Sequence, residues 1–185
     1  MNKGALLPAI ARAVITKQLG IAAALPKTAD NPWLNDPAAT FVTLKQGGEL
    51  RGCIGSLKAR DSLMNDLQNN AMAAAFHDPR FPPLSEDELD QVQIEVSILS
   101  SPEKIEFVSE ADLLGQLKPH IDGVIFNHGN YRSTFLPQVW DQLPSPELFM
   151  SHLKQKAGLA ADFWSDEVLI YRYSVEKFSE SEHVE

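Results

Sequence analysis

Twice along this chain a glycine turn joins two β-like runs, and each time a helix and then a further strand follow. The first occurrence takes residues 40–45, the turn Gln46-Gly47-Gly48, residues 49–57, a helix, and a strand around 92–98. The second takes residues 123–127, the turn His128-Gly129, residues 131–136, a helix, and a strand over 168–175. Short glycine turns between β-like runs make antiparallel neighbours. Helices interleaved with such hairpins must cover a sheet face to bury their own apolar stripe. The pattern predicts an α+β fold of mixed or antiparallel sheets flanked by helices. Its echo predicts two subdomains within residues 1–185, with an internal hairpin–helix–strand duplication.

Local signals fill in the rest. Residues 3–19 place Leu6, Leu7, Ile10, Val14 and Leu19 close to one helical face, with Gly20 as the stop. Pro8 is tolerable there only near the first turn. Residues 22–39 are rich in Pro, Asp and Asn and read as a loop pinned by Trp33 and Leu34. Asp61 or Ser62 can cap a helix whose stripe is Leu63, Leu67, Ala71, Ala74 and Ala75, interrupted at His77-Asp78-Pro79. Ser85-x-x-Glu88 is a capping box for a short helix. Val92, Ile94, Val96 and Ile98 alternate with Gln93, Glu95 and Ser97, as in a half-buried strand. Later, Pro137 breaks the second hairpin, and Ser145-Pro146 opens a helix that ends at Gly158. Met64, Met72 and Met150 read as core filler. The tail, residues 176–185, reads as frayed and solvated.

Composition narrows the function classes. The chain has 185 residues, 16 Lys plus Arg against 25 Asp plus Glu, and a net charge of −9. That length supports a core without disulfides or metal. No run reaches the roughly 18 apolar residues of a membrane span. Arg12 and Lys17 interrupt the apolar N-terminal stretch, which argues against a signal peptide. The one cysteine allows no internal disulfide, so a reducing cytoplasm is the expected compartment. The acidic balance argues against nucleic-acid binding, which depends on many cationic contacts.

The densest chemical segment is Leu50-Arg51-Gly52-Cys53-Ile54-Gly55. In a strand Leu50 and Ile54 face one side, and Arg51 and Cys53 the other. A guanidinium two residues from a thiol on the same face can stabilise a thiolate. Gly52 and Gly55 would leave that thiol uncrowded. The alternative is plain packing, since free cysteine is among the most buried residue types. In His77-Asp78-Pro79-Arg80-Phe81-Pro82-Pro83, His77 is a candidate general base. The plainer alternative has Asp78 turning the chain and pairing with Arg80 while Phe81 plugs the core. Glu95 sits on the polar face of its strand, in solvent or within reach of Cys53 and Arg51 across a sheet. His120, His128, His152 and His183 show no metal-ligand spacing. No phosphate-binding glycine loop, dinucleotide fingerprint or Cys-x-x-Cys is present.

The hexapeptide resembles the hallmark of the AMMECR-type domain family, also called AmmeMemoRadiSam system protein A. Phe41-Val42-Thr43-Leu44 precedes it as in that family. Asp78-Pro79-Arg80-Phe81-Pro82-Pro83-Leu84, Glu95-Val96-Ser97, Thr134-Phe135-Leu136-Pro137-Gln138-Val139-Trp140 and Tyr171-Arg172 resemble its later signatures, in order. The resemblance covers about residues 6–175. It implies an α+β fold with two subdomains and a cleft between them, the hexapeptide near that cleft. It names no reaction and no cofactor. It implies association with a Memo-like protein of dioxygenase-like fold and a radical SAM protein.

Three readings of function follow. In an enzyme, Cys53 is a thiolate nucleophile poised by Arg51, with Asp78, Glu95 or His77 moving the proton. In a binding module, Arg51, Arg80 and Arg132 hold an anionic ligand, with Gly52, Gly55, Asp78, Glu95 and Thr134 lining the site. In an assembly subunit, the motif residues dock the two partner proteins and Cys53 packs structurally.

Overall fold

The computed structural model describes residues 3–180. In chain order it contains helix α1 (Lys3–Gln18), strands β1 (Pro37–Gln46), β2 (Glu49–Gly55) and β3 (Asp61–Ser62), and helix α2 (Leu63–Phe76). Strands β4 (Val92–Leu99) and β5 (Glu103–Lys104), helix α3 (Glu110–Gln116), and strands β6 (Gly123–His128) and β7 (Tyr131–Phe135) come next. Helix α4 (Pro146–Lys156) and strands β8 (Leu169–Tyr173) and β9 (Val175–Ser179) complete it. The chain forms two compact units. One holds the residues up to Leu99 together with those from Glu176 onward, and the other spans Ser100–Val175.

In the first unit the strand order is β2-β1-β4-β9, with β3 paired to the start of β1. β1 lies antiparallel to both β2 and β4. Val42, Leu44, Ile94 and Val96 turn into a core shared with α1 and α2, where Leu6, Ile10 and Leu67 are fully buried. The sequence pattern gives α1 one apolar face, yet Pro8, Ala11, Ala13 and Ile15 are buried as well. A helix apolar nearly all round belongs inside, and α1 contacts both α2 and β4. α2 starts as its cap predicts: Ser62 Oγ accepts from Asn65 N at 3.3 Å.

In the second unit the order is β5-β8-β6-β7, each neighbouring pair antiparallel. Trp140 stacks on Phe149 with ring centroids 3.8 Å apart, and its Nε1 donates to Asp122 O at 2.7 Å, so the indole buries its ring without orphaning its donor. The predicted α4 is present, its Ser145 cap accepting from Leu148 N at 3.2 Å.

The echo in the sequence is a repeat of topology. In each unit the first hairpin strand is central, the second is on one side, and the strand after the helix is on the other: β2-β1-β4 and β7-β6-β8. In both, the second hairpin strand meets a carbonyl of the following helix. A Cβ on Gly52 would lie 2.2 Å from Ala74 O, and Ser133 Oγ donates to Leu153 O at 2.6 Å. The next residues, Cys53 and Thr134, therefore correspond, paired with Thr43 and Ile125 respectively.

Two expectations need correction. The tail is not frayed as far as it is described: β9 joins β4, and Phe178 packs against the first core. The Glu180 carboxylate accepts from Arg12 Nη2 at 2.7 Å and Ile94 N at 2.9 Å. Arg12, half-buried among the apolar residues in the middle of α1, requires that counter-charge. Residues 181–185, His183 among them, lie outside the described residues. The short helix expected after Ser85 is present as a single 3-10 turn, Glu86–Glu88, with both hydrogen bonds of the capping box formed. Leu50, expected to face the core, is 43% exposed, since a register shift at Leu44/Lys45 swings the start of β2 away.

Candidate functional site

β2 is an edge strand, so the groups of Cys53 that face away from β1 lack a strand partner. The chain supplies one from side chains. α2 ends at Phe76, exposed His77 caps it, and Pro79 prevents helix continuation. This lays Asp78 and Arg80 along the free edge. Cys53 N donates to Asp78 Oδ2 at 2.9 Å, and Arg80 Nη2 donates to Cys53 O at 3.2 Å. Arg80 also holds Asp78 through Nε at 3.0 Å and Nη2 at 2.7 Å. The Asp78 carboxylate is 2% exposed, whereas the Arg80 side chain is 55% exposed. Asp78 and Arg80 therefore pair as the plainer sequence reading has it. The His77 side chain is exposed, and the residue contributes its backbone N–H to Ala73 O at 2.9 Å.

The thiol itself is half-buried. Thr43, opposite it on β1, donates from Oγ1 to Sγ at 3.3 Å. Burial pushes the Cys53 thiol above its ordinary value. The Thr43 hydrogen bond and the Arg80 charge pull it back, while the Asp78 and Glu95 charges push the same way as burial. Hydrogen bonds from Arg80, then from the Cys53 and Arg80 backbone N–H groups, hold Asp78 well below the usual carboxylate range against its own burial.

Arg51 is not the cation that acts on the thiol. Its Nε donates to Glu88 Oε1 at 2.8 Å, and its Nη2 to Glu88 Oε2 and Pro82 O, both at 3.0 Å. Glu88 also accepts from Ser85 N at 2.9 Å and Ser85 Oγ at 3.0 Å. The Arg51 bonds foremost, with those of Ser85, lower Glu88 to about 2 despite partial burial. The capping box visible in sequence thus carries the counter-ion of the hexapeptide arginine. Phe81 does not plug the core. It is half-buried with its ring centroid 5.9 Å from Arg51 Cζ and 5.5 Å from Arg80 Cζ.

The glycines do not leave room over the thiol. A Cβ on Gly52 would strike Ala74 O, and one on Gly55 would lie 2.2 Å from the Phe41 ring, which covers that strand position. Both are packing requirements. Glu95, in register with Thr43, is 10% exposed at its side chain and accepts from Lys45 at 3.3 Å and Ser179 Oγ at 3.3 Å, with Lys177 at 3.2 Å. Arg51, Cys53, Asp78, Arg80 and Glu95 are thus on one sheet system of the first unit. Thr134 is in the second unit, where its Oγ1 donates to Val124 O at 2.9 Å and lies 3.2 Å from Tyr173 Oη. Burial raises Tyr173 to about 12.

Sequence reasoning missed Thr43, whose role needs the β1–β2 register, and a buried network behind the site. Asp66 Oδ2 accepts from Thr40 N and Oγ1, each at 2.7 Å, and Oδ1 from Ser56 Oγ at 2.6 Å. Asn70 Nδ2 joins it at 3.0 Å. Asp66 and Asn70, four apart on α2, carry the i,i+4 signal that could have found it. Among the described residues no group of three or more His, Cys, Asp or Glu is placed to hold a metal ion. No helix among them is long and apolar enough to cross a membrane.

Fold and site together define an α+β protein of two topologically repeated sheet units, with its clustered chemistry on the edge strand of the first. The AMMECR1 family model matches residues 8–178. A protein of Methanothermobacter thermautotrophicus is 37% identical over 186 residues, covering 97% of this chain and 95% of its own. A Thermotoga maritima protein is 43% identical over 143 residues, 76% of this chain and 77% of its own. The crystal structure of an uncharacterized protein from Pyrococcus horikoshii superposes with a TM-score of 0.86 at 33% identity, covering 96% of this chain and 91% of that one. The chain belongs to the AMMECR1 family.

Proposed function

We propose that this protein is a ligand-binding component, acting with a Memo-like protein and a radical SAM protein, whose site is the Cys53 edge of β2. The observation that carries the reading is the Arg80 guanidinium. Asp78 fixes it against Cys53, yet it remains 55% exposed, as a binding group must be. The partners rest on the family resemblance alone. A thiolate nucleophile at Cys53 is the weaker reading, because burial favours the neutral thiol.

Two measurements test this. In iodoacetamide kinetics against pH, Cys53 is the only thiol, and its apparent pKa should fall above the ordinary ~8.5. A value well below that revives the nucleophile. Thr43→Val removes the donor that favours the thiolate and should slow the reaction further at any one pH. In a thermal-shift panel of carboxylates, phosphates and nucleotides, a true ligand at 100 times its Kd contributes about 2.7 kcal/mol. Arg80→Gln should abolish that shift, and a blank panel overturns the ligand reading. Co-purification with the two partner proteins tests the assembly separately.

A further inference from the structure

β7 is the edge strand of the second sheet, and part of its outer edge is open. The two-residue turn at 129–130 makes His128 and Tyr131 a hydrogen-bonded pair, and such pairs alternate along a hairpin. Tyr131, Ser133 and Phe135 therefore direct their backbone groups to β6, while those of Arg132 and Thr134 point outward. Thr134 O accepts from Lys156 Nζ at 2.9 Å. Thr134 N–H and the backbone groups of Arg132 have no partner among the described residues.

The first unit shows what closes such an edge. At the corresponding residue, Cys53, the Asp78 carboxylate accepts from the N–H at 2.9 Å and Arg80 donates to the carbonyl at 3.2 Å. The second unit repeats the cation on the carbonyl but supplies no carboxylate to the N–H among the described residues. Sheet edges in folded proteins are normally covered, paired or charged. The charge here is positive. Arg132 is exposed and, unlike Arg51, Arg80 and Arg172, forms no ion pair among the described residues. It shares a strand face with Thr134 about 7 Å away, within the reach of an arginine side chain. Tyr131, at the head of the strand, is 46% exposed. We propose that the β7 edge docks an extended acidic segment of a partner protein. One of its carboxylates accepts from Thr134 N–H, as Asp78 does from Cys53 N–H, and pairs with Arg132. The surface is on the second unit and does not depend on the ligand reading at Cys53.

The test is amide exchange and ¹⁵N–¹H NMR on the full chain. The probes are an acetylated, amidated pentapeptide Gly-Asp-Glu-Asp-Gly and its neutral counterpart Gly-Asn-Gln-Asn-Gly, with Arg132→Gln as the variant. In the free protein Thr134 N–H should exchange at least about tenfold faster than the N–H groups of Ser133 and Phe135, which are bonded to β6. The acidic peptide should move the Thr134 and Arg132 amide resonances and slow exchange at Thr134, and the neutral peptide should do neither. Arg132→Gln, an exposed change that keeps the fold, should weaken the acidic peptide about threefold. Protection of Thr134 N–H already present in the free chain means the chain closes this edge itself, and overturns the proposal. So does an equal response to both peptides, or an affinity unchanged by Arg132→Gln. Shifts confined to Cys53 and Arg80 also overturn it, and assign the carboxylate to the β2 edge instead.

Discussion

Gly52→Ala is expected to lower Tm by roughly 6–12 °C, from about 3 kcal/mol of lost stability. The added methyl would sit 2.2 Å from the carbonyl oxygen of Ala74 and 3.2 Å from its carbon. Those are backbone atoms of α2, which cannot swing aside as a side chain can. Either α2 or β2 must shift, and both pack the first core. Gly55→Ala should cost less, because its obstacle is the half-buried Phe41 ring, a side chain that can rotate. Gly115→Ala is the control. It lies within α3 with no heavy atom in the way, so alanine should stabilise by about 0.5–1 kcal/mol. Thermal melts of the three variants decide the matter. If Gly52→Ala melts within about 2 °C of the wild type, the close approach to α2 is not what requires the glycine, and access to the thiol becomes its explanation.

The sequence-level reading was good where one strand or helix explains itself. The strand at Val92–Leu99, the caps at Ser62 and Ser145 and the glycine turns of both hairpins are local chemistry, and all appear in the fold, although the strand is not half-buried: Glu95 and Ser97 on its polar side are buried as well. So was the pairing of Asp78 with Arg80, two residues apart. What failed needed knowledge of distant neighbours. Arg51 seemed to serve Cys53 because they are two residues apart; its real partner, Glu88, is 37 positions on. The glycines seemed to open space that Phe41 and Ala74 in fact fill. Residues 176–180 are charged and near the end, yet a free edge on β4 and the unpaired charge of Arg12 draw them into the sheet. α3 was overlooked because it is two turns long, though its Ser109 cap, accepting from Asp112 N at 3.1 Å, was visible.

Asp78→Ala should be the most damaging polar change at the site, costing about 3 kcal/mol, or roughly 6–12 °C in Tm. One carboxylate, 2% exposed, accepts from Cys53 N, from Arg80 N and from two nitrogens of the Arg80 guanidinium. Alanine leaves the Cys53 N–H without an acceptor on the covered strand edge. The half-exposed guanidinium can turn to water, which keeps the loss at the lower end for a broken pair. The edge then opens and a nearby negative charge disappears, so iodoacetamide should reach Cys53 severalfold faster. Asp78→Asn separates the two roles, keeping an acceptor for Cys53 N while giving up the charge on Arg80. Acid does to the wild type what asparagine does to the variant. Asp78 and Glu88 are both held below their unfolded values, so the stability they lend is complete above pH of about 4–5. It declines as pH falls toward about 2, the Glu88 value. The difference in stability between wild type and Asp78→Asn should therefore be constant from pH 8 to 5 and shrink below about pH 4. A difference that stays constant into acid, or an Asp78→Ala protein with wild-type melting and wild-type alkylation, would remove Asp78 from its place as the clamp on Cys53.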